Sequence, residues 1–121
     1  MTRFDIMMGK NTGIEKKNKL RLILEEDDSV LQSIEQGMKE NNLKEGVVID
    51  ATGFVKDAII SEDGNKLSFE EVELLKAKGK FKFGGDDLWG KLEVFTGGKK
   101  PIKGQLLRAK AKEDLEIVIE Y

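Results

Sequence analysis

A chain of 121 residues, 39% apolar and 36% charged with a single proline, has the size and balance of one globular domain rather than of a disordered or fibrous protein. It contains neither cysteine nor histidine, which excludes disulfides, thiolate nucleophiles, imidazole- or thiolate-ligated metal centres and the side chain most used for acid–base work near neutral pH. The formal charge of −2 argues against a dedicated nucleic-acid clamp, yet residues 1–75 carry 10 basic and 16 acidic side chains whereas residues 76–121 carry 11 and 7, so the second half is net positive.

Residues 3–8 are expected to form a short first strand and residues 9–18 a polar loop. Lys19 to Leu24 then alternates, with Leu20, Leu22 and Leu24 on one face, which is the pattern of a half-buried strand. Four acidic residues, 25–28, end it. Ser29 followed by Gln32 is a capping-box spacing and predicts a helix beginning there. Leu31, Ile34 and Met38 recur on one side of that helix, and Asn41-Asn42 stops it. Carboxylates before a helix favour the positive end of its dipole, so residues 25–28 are read as a capping segment rather than a cation site.

Val47-Val48-Ile49 and residues 54–60 are two further strand candidates, separated by Gly53 at a bulge or tight bend. Asp63-Gly64-Asn65 is a turn, and residues 72–83 are a long extended stretch. Within it Lys78, Lys80 and Lys82 alternate with Gly79, Phe81 and Phe83, placing three ammonium groups on one face. Residues 84–87 turn the chain, residues 88–95 are the next strand, residues 97–101 a hairpin turn and residues 102–110 its return. Leu115, Ile117, Ile119 and Tyr121 share one face of a last strand. The sum is an α+β fold: a mostly antiparallel sheet of about seven strands packed against one main amphipathic helix. Residues 1–18 form an N-terminal strand and loop and residues 19–121 the domain proper, a single domain in all. The longest apolar runs are too short to span a bilayer, and no basic region followed by an apolar stretch opens the chain, so the expected location is cytoplasmic with no membrane partner.

In this order, the segments resemble the plant and prokaryote conserved (PPC) domain. Glu70-Glu71-Val72-Glu73-Leu74-Leu75, with Gly79 after it, is similar to that family's Gly-Arg-Phe-Glu-Ile-Leu segment and following glycine. Lys91-Leu92-Glu93-Val94, the Gly97-Gly98 turn and Lys103-Gly104-Gln105-Leu106-Leu107 resemble its His-Leu-His-Val, turn and Gly-Gly-His-Leu series. The resemblance covers residues 19–121. It implies a homotrimer, and it assigns Glu71, Val72, Glu73, Leu74 and Leu75 to the family's interaction segment. Plant members join the domain to AT-hooks, whose Arg-Gly-Arg-Pro core enters the minor groove; this chain has no such core.

The family's histidine cluster, which holds a metal in some members, falls on Lys91, Glu93 and Gln105. An ammonium, a carboxylate and an amide do not make a transition-metal site, and the favoured reading is an ion-paired or solvated patch, with no cofactor. The lysine stripe is read first as a solvated strand face guarded against aggregation, and second as a weak, non-specific nucleic-acid or partner surface. Trp89 and Tyr121 are not interleaved with it in sequence, as a stacking platform requires. The functional expectation is a non-enzymatic binding or regulatory module that associates with itself and with a partner protein. The alternative is a small-molecule sensor or enzyme built on Lys91, Glu93 and Gln105 with shifted pKa values. Self-association also follows from strands apolar on both faces, at Ile23, at Val48 flanked by Val47 and Ile49, at Ile59 beside Ile60 and at Val118 between Ile117 and Ile119, which one helix cannot cover; the competing cover is residues 1–18 folding back.

Overall fold

The computed structural model describes the backbone of residues 3–8 and residues 18–121 in full. The expected loop over residues 9–18 therefore lies outside the described residues up to position 17, while Asn18 already begins a strand. The elements run β1 (Arg3–Met8), β2 (Asn18–Leu24), α1 (Val30–Glu40), β3 (Glu45–Glu62), β4 (Asn65–Gly84), β5 (Asp87–Gly90), β6 (Glu93–Thr96), β7 (Lys103–Ala111) and β8 (Leu115–Glu120). Every pairing is antiparallel, in the order β1-β2-β8-β3-β7-β6-β4-β5 with β3 also paired to β4. The α+β class with an antiparallel sheet is as expected. The described strands number eight: the stretch read as one strand over residues 88–95 is two, and the two stretches on either side of Gly53 are one.

Periodicity dictates most of the local structure. Leu20, Leu22 and Leu24 of β2 and Leu115, Ile117 and Ile119 of β8 are all buried while the residues between them are not, so these two strands lie side by side with one apolar face. Helix α1 closes over that face. The Ser29 hydroxyl accepts from the Gln32 N–H at 3.4 Å, and Asn41 closes the other end by donating from its N–H and side chain to the Gly37 carbonyl. Val30, Ile34 and Met38 point into the core with Ser33 and Gly37, whereas Leu31 is only half-buried at the margin.

The two candidate strands on either side of Gly53 are one 18-residue strand, β3. Gly53 takes φ +132°, and a side chain there would press on Leu115, so the residue bends the strand without ending it. Before the bend, β3 pairs with β8; beyond it, β7 occupies that edge, while β4 follows the other edge. Strands β3, β7, β6 and β4 thereby close on one another, and Val55, Ile60, Leu74, Ala77, Val94 and Leu106 fill the space between them.

The interruption between β5 and β6 falls at Lys91-Leu92. Gly90 has φ +155° and no room for a side chain against the Lys80 carbonyl and Phe81; Gly79 has none against the Lys91 carbonyl. At this crossing two backbones approach more closely than any Cβ allows, and the regular ladder breaks. The β1 strand pairs edge to edge with β2, so residues 3–8 extend the sheet instead of covering its outer face. Ile23, Val47, Ile49, Ile59 and Val118 remain half-buried.

The turn before α1 is tied to β3 by Lys56, whose ammonium lies 2.7 Å from Asp27 and 3.4 Å from Glu26. The hydrogen bond from Lys56 holds the Asp27 carboxyl below its ordinary value, and the same bond, with the neighbouring negative charge, holds Lys56 above its own. A depressed carboxyl pKa contributes stability above the unfolded value and loses it as pH falls through the folded one. A raised lysine pKa contributes below its unfolded value and loses it as pH rises through the folded one. Lys56→Met is therefore expected to lower Tm slightly at neutral pH, with the difference vanishing once Asp27 is protonated; thermal melts of both proteins across the acid range check this.

Candidate functional site

The outer face of β4 carries the lysine stripe. Ala77 and Phe81 are buried and Gly79 half-buried on its inner side, so Lys78, Lys80 and Lys82 all project outward and are exposed. Their surroundings differ. Lys78 lies 3.6 Å from Glu93, which Lys103 approaches at 3.7 Å from β7. Among the described residues, Lys80 and Lys82 form no ion pair.

The residues matching the family's histidine cluster come together only in part. Glu93 and Gln105 are direct cross-strand partners of β6 and β7. Glu93 is occupied by the two lysines, its Oε1 shielded from solvent with no hydrogen bond. Lys91 is exposed and forms no ion pair with Glu93. The arrangement is an open, ion-paired patch, not an enclosed site. Among the described residues no three of His, Cys, Asp and Glu gather as metal ligands.

In the segment over residues 71–75, side chains divide between structure and surface. Leu74 belongs to the core, Glu71 pairs with Lys112, whose ammonium is held above its ordinary pKa by that hydrogen bond, and Val72 and Glu73 are half-buried. Leu75 is 53% exposed. Phe54, opposite Glu73 in register on β3, is 44% exposed.

Trp89 and Tyr121, not interleaved with the basic run in sequence, are brought beside it by the fold. The two-residue turn at Gly85-Asp86 pairs Gly84 with Asp87, Phe83 with Leu88 and Lys82 with Trp89. Glu45 flanks Lys82 on its other side, and in the next row Lys80 pairs with Val47, which pairs with Glu120 of β8. A cleft of about 460 Å³ results, lined by Val47, Lys80, Phe81, Lys82, Trp89 and Tyr121, with Glu45 and Glu120 at its β3–β8 side. Trp89 is 68% exposed. The hairpin turn carried this signal, since counting outward from two turn residues places Lys82 opposite Trp89. A second groove, of about 560 Å³, runs between β3 and β7 near the helix start and is lined by Asp57 and Glu70 as well as Arg108 and Lys110. No helix among the described residues is long and apolar enough to cross a membrane.

The model of one protein family, described as the Plants and Prokaryotes Conserved (PCC) domain, matches residues 13–120. Comparison with curated proteins gave no match. Solved structures share the fold at low identity. A plant- and prokaryote-conserved (PPC) protein of Pyrococcus horikoshii is 14% identical over 96% of this chain and 80% of its own, with a TM-score of 0.67. A metal-containing protein of Archaeoglobus fulgidus is 20% identical over 99% and 84%, with a TM-score of 0.68. A protein of Ralstonia eutropha JMP134 named "Putative DNA-binding protein" is 13% identical over 84% and 75%, also with a TM-score of 0.68.

Proposed function

The chain belongs to the Plants and Prokaryotes Conserved domain family, and from that premise we propose that it is a non-enzymatic, self-associating binding module that engages DNA weakly and without sequence preference. The observation that carries the reading is the exposed row of Lys78, Lys80 and Lys82 on one strand, two of them without an acidic partner among the described residues. The name of the Ralstonia neighbour supports the same direction. Acidic residues elsewhere and a net charge of −2 keep the affinity low. The exposed apolar side chains of Phe54 and Leu75 are suited to a partner protein. Metal binding does not carry over from the Archaeoglobus protein, because Lys91, Glu93 and Gln105 offer neither imidazole nor thiolate. A sensor or enzyme would need Lys91 and Glu93 to converge in a pocket, and Glu93 is instead taken by Lys78 and Lys103.

Self-association as a homotrimer is part of the proposal. Ile23, Ile49 and Val118 are half-exposed on the sheet face away from the helix, and β1 extends the sheet rather than covering them. Burying one such group contributes about 1.5–3 kcal/mol, and a closed ring of subunits leaves no site for unlimited growth. Sedimentation equilibrium at low micromolar concentration is expected to give three times the protomer mass, and a monomer mass that persists on tenfold concentration would overturn the trimer. In parallel, duplex DNA of any sequence should bind weakly, with a log–log salt slope of about −2 to −3 if up to three lysines displace counterions. Nanomolar affinity for one duplex sequence alone, at physiological salt, would defeat the DNA reading.

A further inference from the structure

We infer that the cleft between β4, β5 and the end of β8 takes single-stranded nucleic acid, with one base stacked on the Trp89 indole and the adjoining phosphates held by Lys80 and Lys82. The inference rests on the DNA-associated reading above and narrows it to a strand form and a contact. Three observations carry it. Trp89, 68% exposed, is the most exposed of the large apolar side chains described. It stands on a four-residue strand with Gly84 and Gly85 on the approach and Gly90 beside it, and the indole edge lies directly over Gly84, where an added Cβ would come within 3.1 Å of Nε1. An exposed indole offers a flat apolar face on which a base can stack.

The second observation is charge. Lys82 is the direct cross-strand partner of Trp89, and Lys80 lies two residues along the same face. Their Cα atoms are about 6.5–7 Å apart by strand geometry, so each ammonium has room for its own phosphate. Neither is held in an ion pair among the described residues, unlike Lys78, which shares Glu93, although Glu45 is the cross-strand neighbour of Lys82. The third is the shape of the wall. Val47, Phe81 and Tyr121 line the cleft with the lysines and Trp89, and Glu45 and Glu120 stand on the β3–β8 side. Those carboxylates repel a phosphate backbone from that side and confine it to the lysine row, alongside the indole. An aromatic face flanked by lysines on an open sheet suits unpaired bases, whose π-faces are available, whereas in a duplex each base is already stacked between its neighbours.

Trp89 is the only tryptophan in the chain, so its emission reports on this contact alone. Titrating the full-length protein at low salt with an oligothymidylate of about ten nucleotides, within the usual span of such sites, should quench the emission, with the quench reversed by salt. In a labelled-oligonucleotide assay Trp89→Ala should weaken binding by roughly tenfold, and Lys82→Gln should reduce the salt slope by about 0.7. Equal affinity of Trp89→Ala and the parent protein would overturn the inference, as would an equal quench by dextran sulfate, which has no bases. Poor access of acrylamide to Trp89 in the unliganded assembly would also overturn it, since the ring would then be covered by another copy of the chain. If duplex DNA binds while Trp89 emission stays unchanged with the single strand, the stacking inference falls and the broader DNA reading stands; if neither nucleic acid binds, both fall.

Discussion

Gly79→Ala should cost at least about 3 kcal/mol, although it adds one methyl group at a half-exposed position, because that methyl has no space to enter. A Cβ on residue 79 would run into the carbonyl oxygen of Lys91, a backbone atom held in place by the pairing of β6 with β4 and β7 and by the bond from the Leu106 N–H to the Leu92 carbonyl at 2.8 Å. Relief requires β4 and the start of β6 to separate, which opens the closed ring at Ala77, Leu92 and Val94. For a domain of this size the cost corresponds to a fall in Tm of about 10 °C or more. Lys80→Ala, one residue along and projecting into solvent, is the matched control and should change stability by less than about 0.5 kcal/mol. Melts at fixed protomer concentration separate the two, since self-association would otherwise shift Tm with concentration. Similar small shifts for both substitutions would show that the crossing is not as tight as described. Position 79 is also where the family resemblance aligns a glycine, and the crossing supplies a physical reason for it.

Ile117→Ala should cost about 3–4 kcal/mol, and Ile117→Val about 1 kcal/mol. Ile117 is fully buried on β8, with Leu22 opposite it on β2 and Ala51 opposite it on β3. Strands on both sides prevent the site from collapsing into the space a truncated side chain leaves, so the cavity term adds to the lost transfer energy. Val118, next in sequence but on the outer face and half-buried, separates two contributions. Val118→Ala should cost clearly less than Ile117→Ala in thermal melts, while Val118→Asp, by placing a charge on the face proposed for self-association, should lower the sedimenting mass with the secondary structure retained. An Ile117→Ala protein as stable as the parent would mean that β8 is not the centre of the core.

The site was legible in proportion to how local its geometry is. The lysine stripe is a period-two pattern on one strand, and it projects outward as that pattern requires. The pairing of Glu93 with Gln105 follows from a hairpin. The partnership of Trp89 with Lys82 is also encoded, in the two-residue turn at Gly85-Asp86, but it lies across two strands and not in the alternation along one. The occupation of Glu93 by Lys78 and Lys103 was beyond the reach of pattern reading, since it joins three strands.

By itself, the sequence determined what depends on residue type and short spacing. The absence of histidine and cysteine bounds the chemistry, Ser29 with Gln32 sets the helix start, and the alternating leucines and isoleucines of β2 and β8 define a buried face whatever they pack against. Only the tertiary structure decided that the chain runs through Gly53 as one bent strand, that it breaks at Lys91, and that Tyr121 joins Trp89 and two lysines in one cleft. The physical reason is the same in each case. A glycine permits a bend, a break or a close crossing equally well, and which of these occurs is settled by backbones distant in sequence: the Leu115 segment against Gly53, the Lys91 carbonyl against Gly79, and β8 bringing the chain's last residues to the edge of β3.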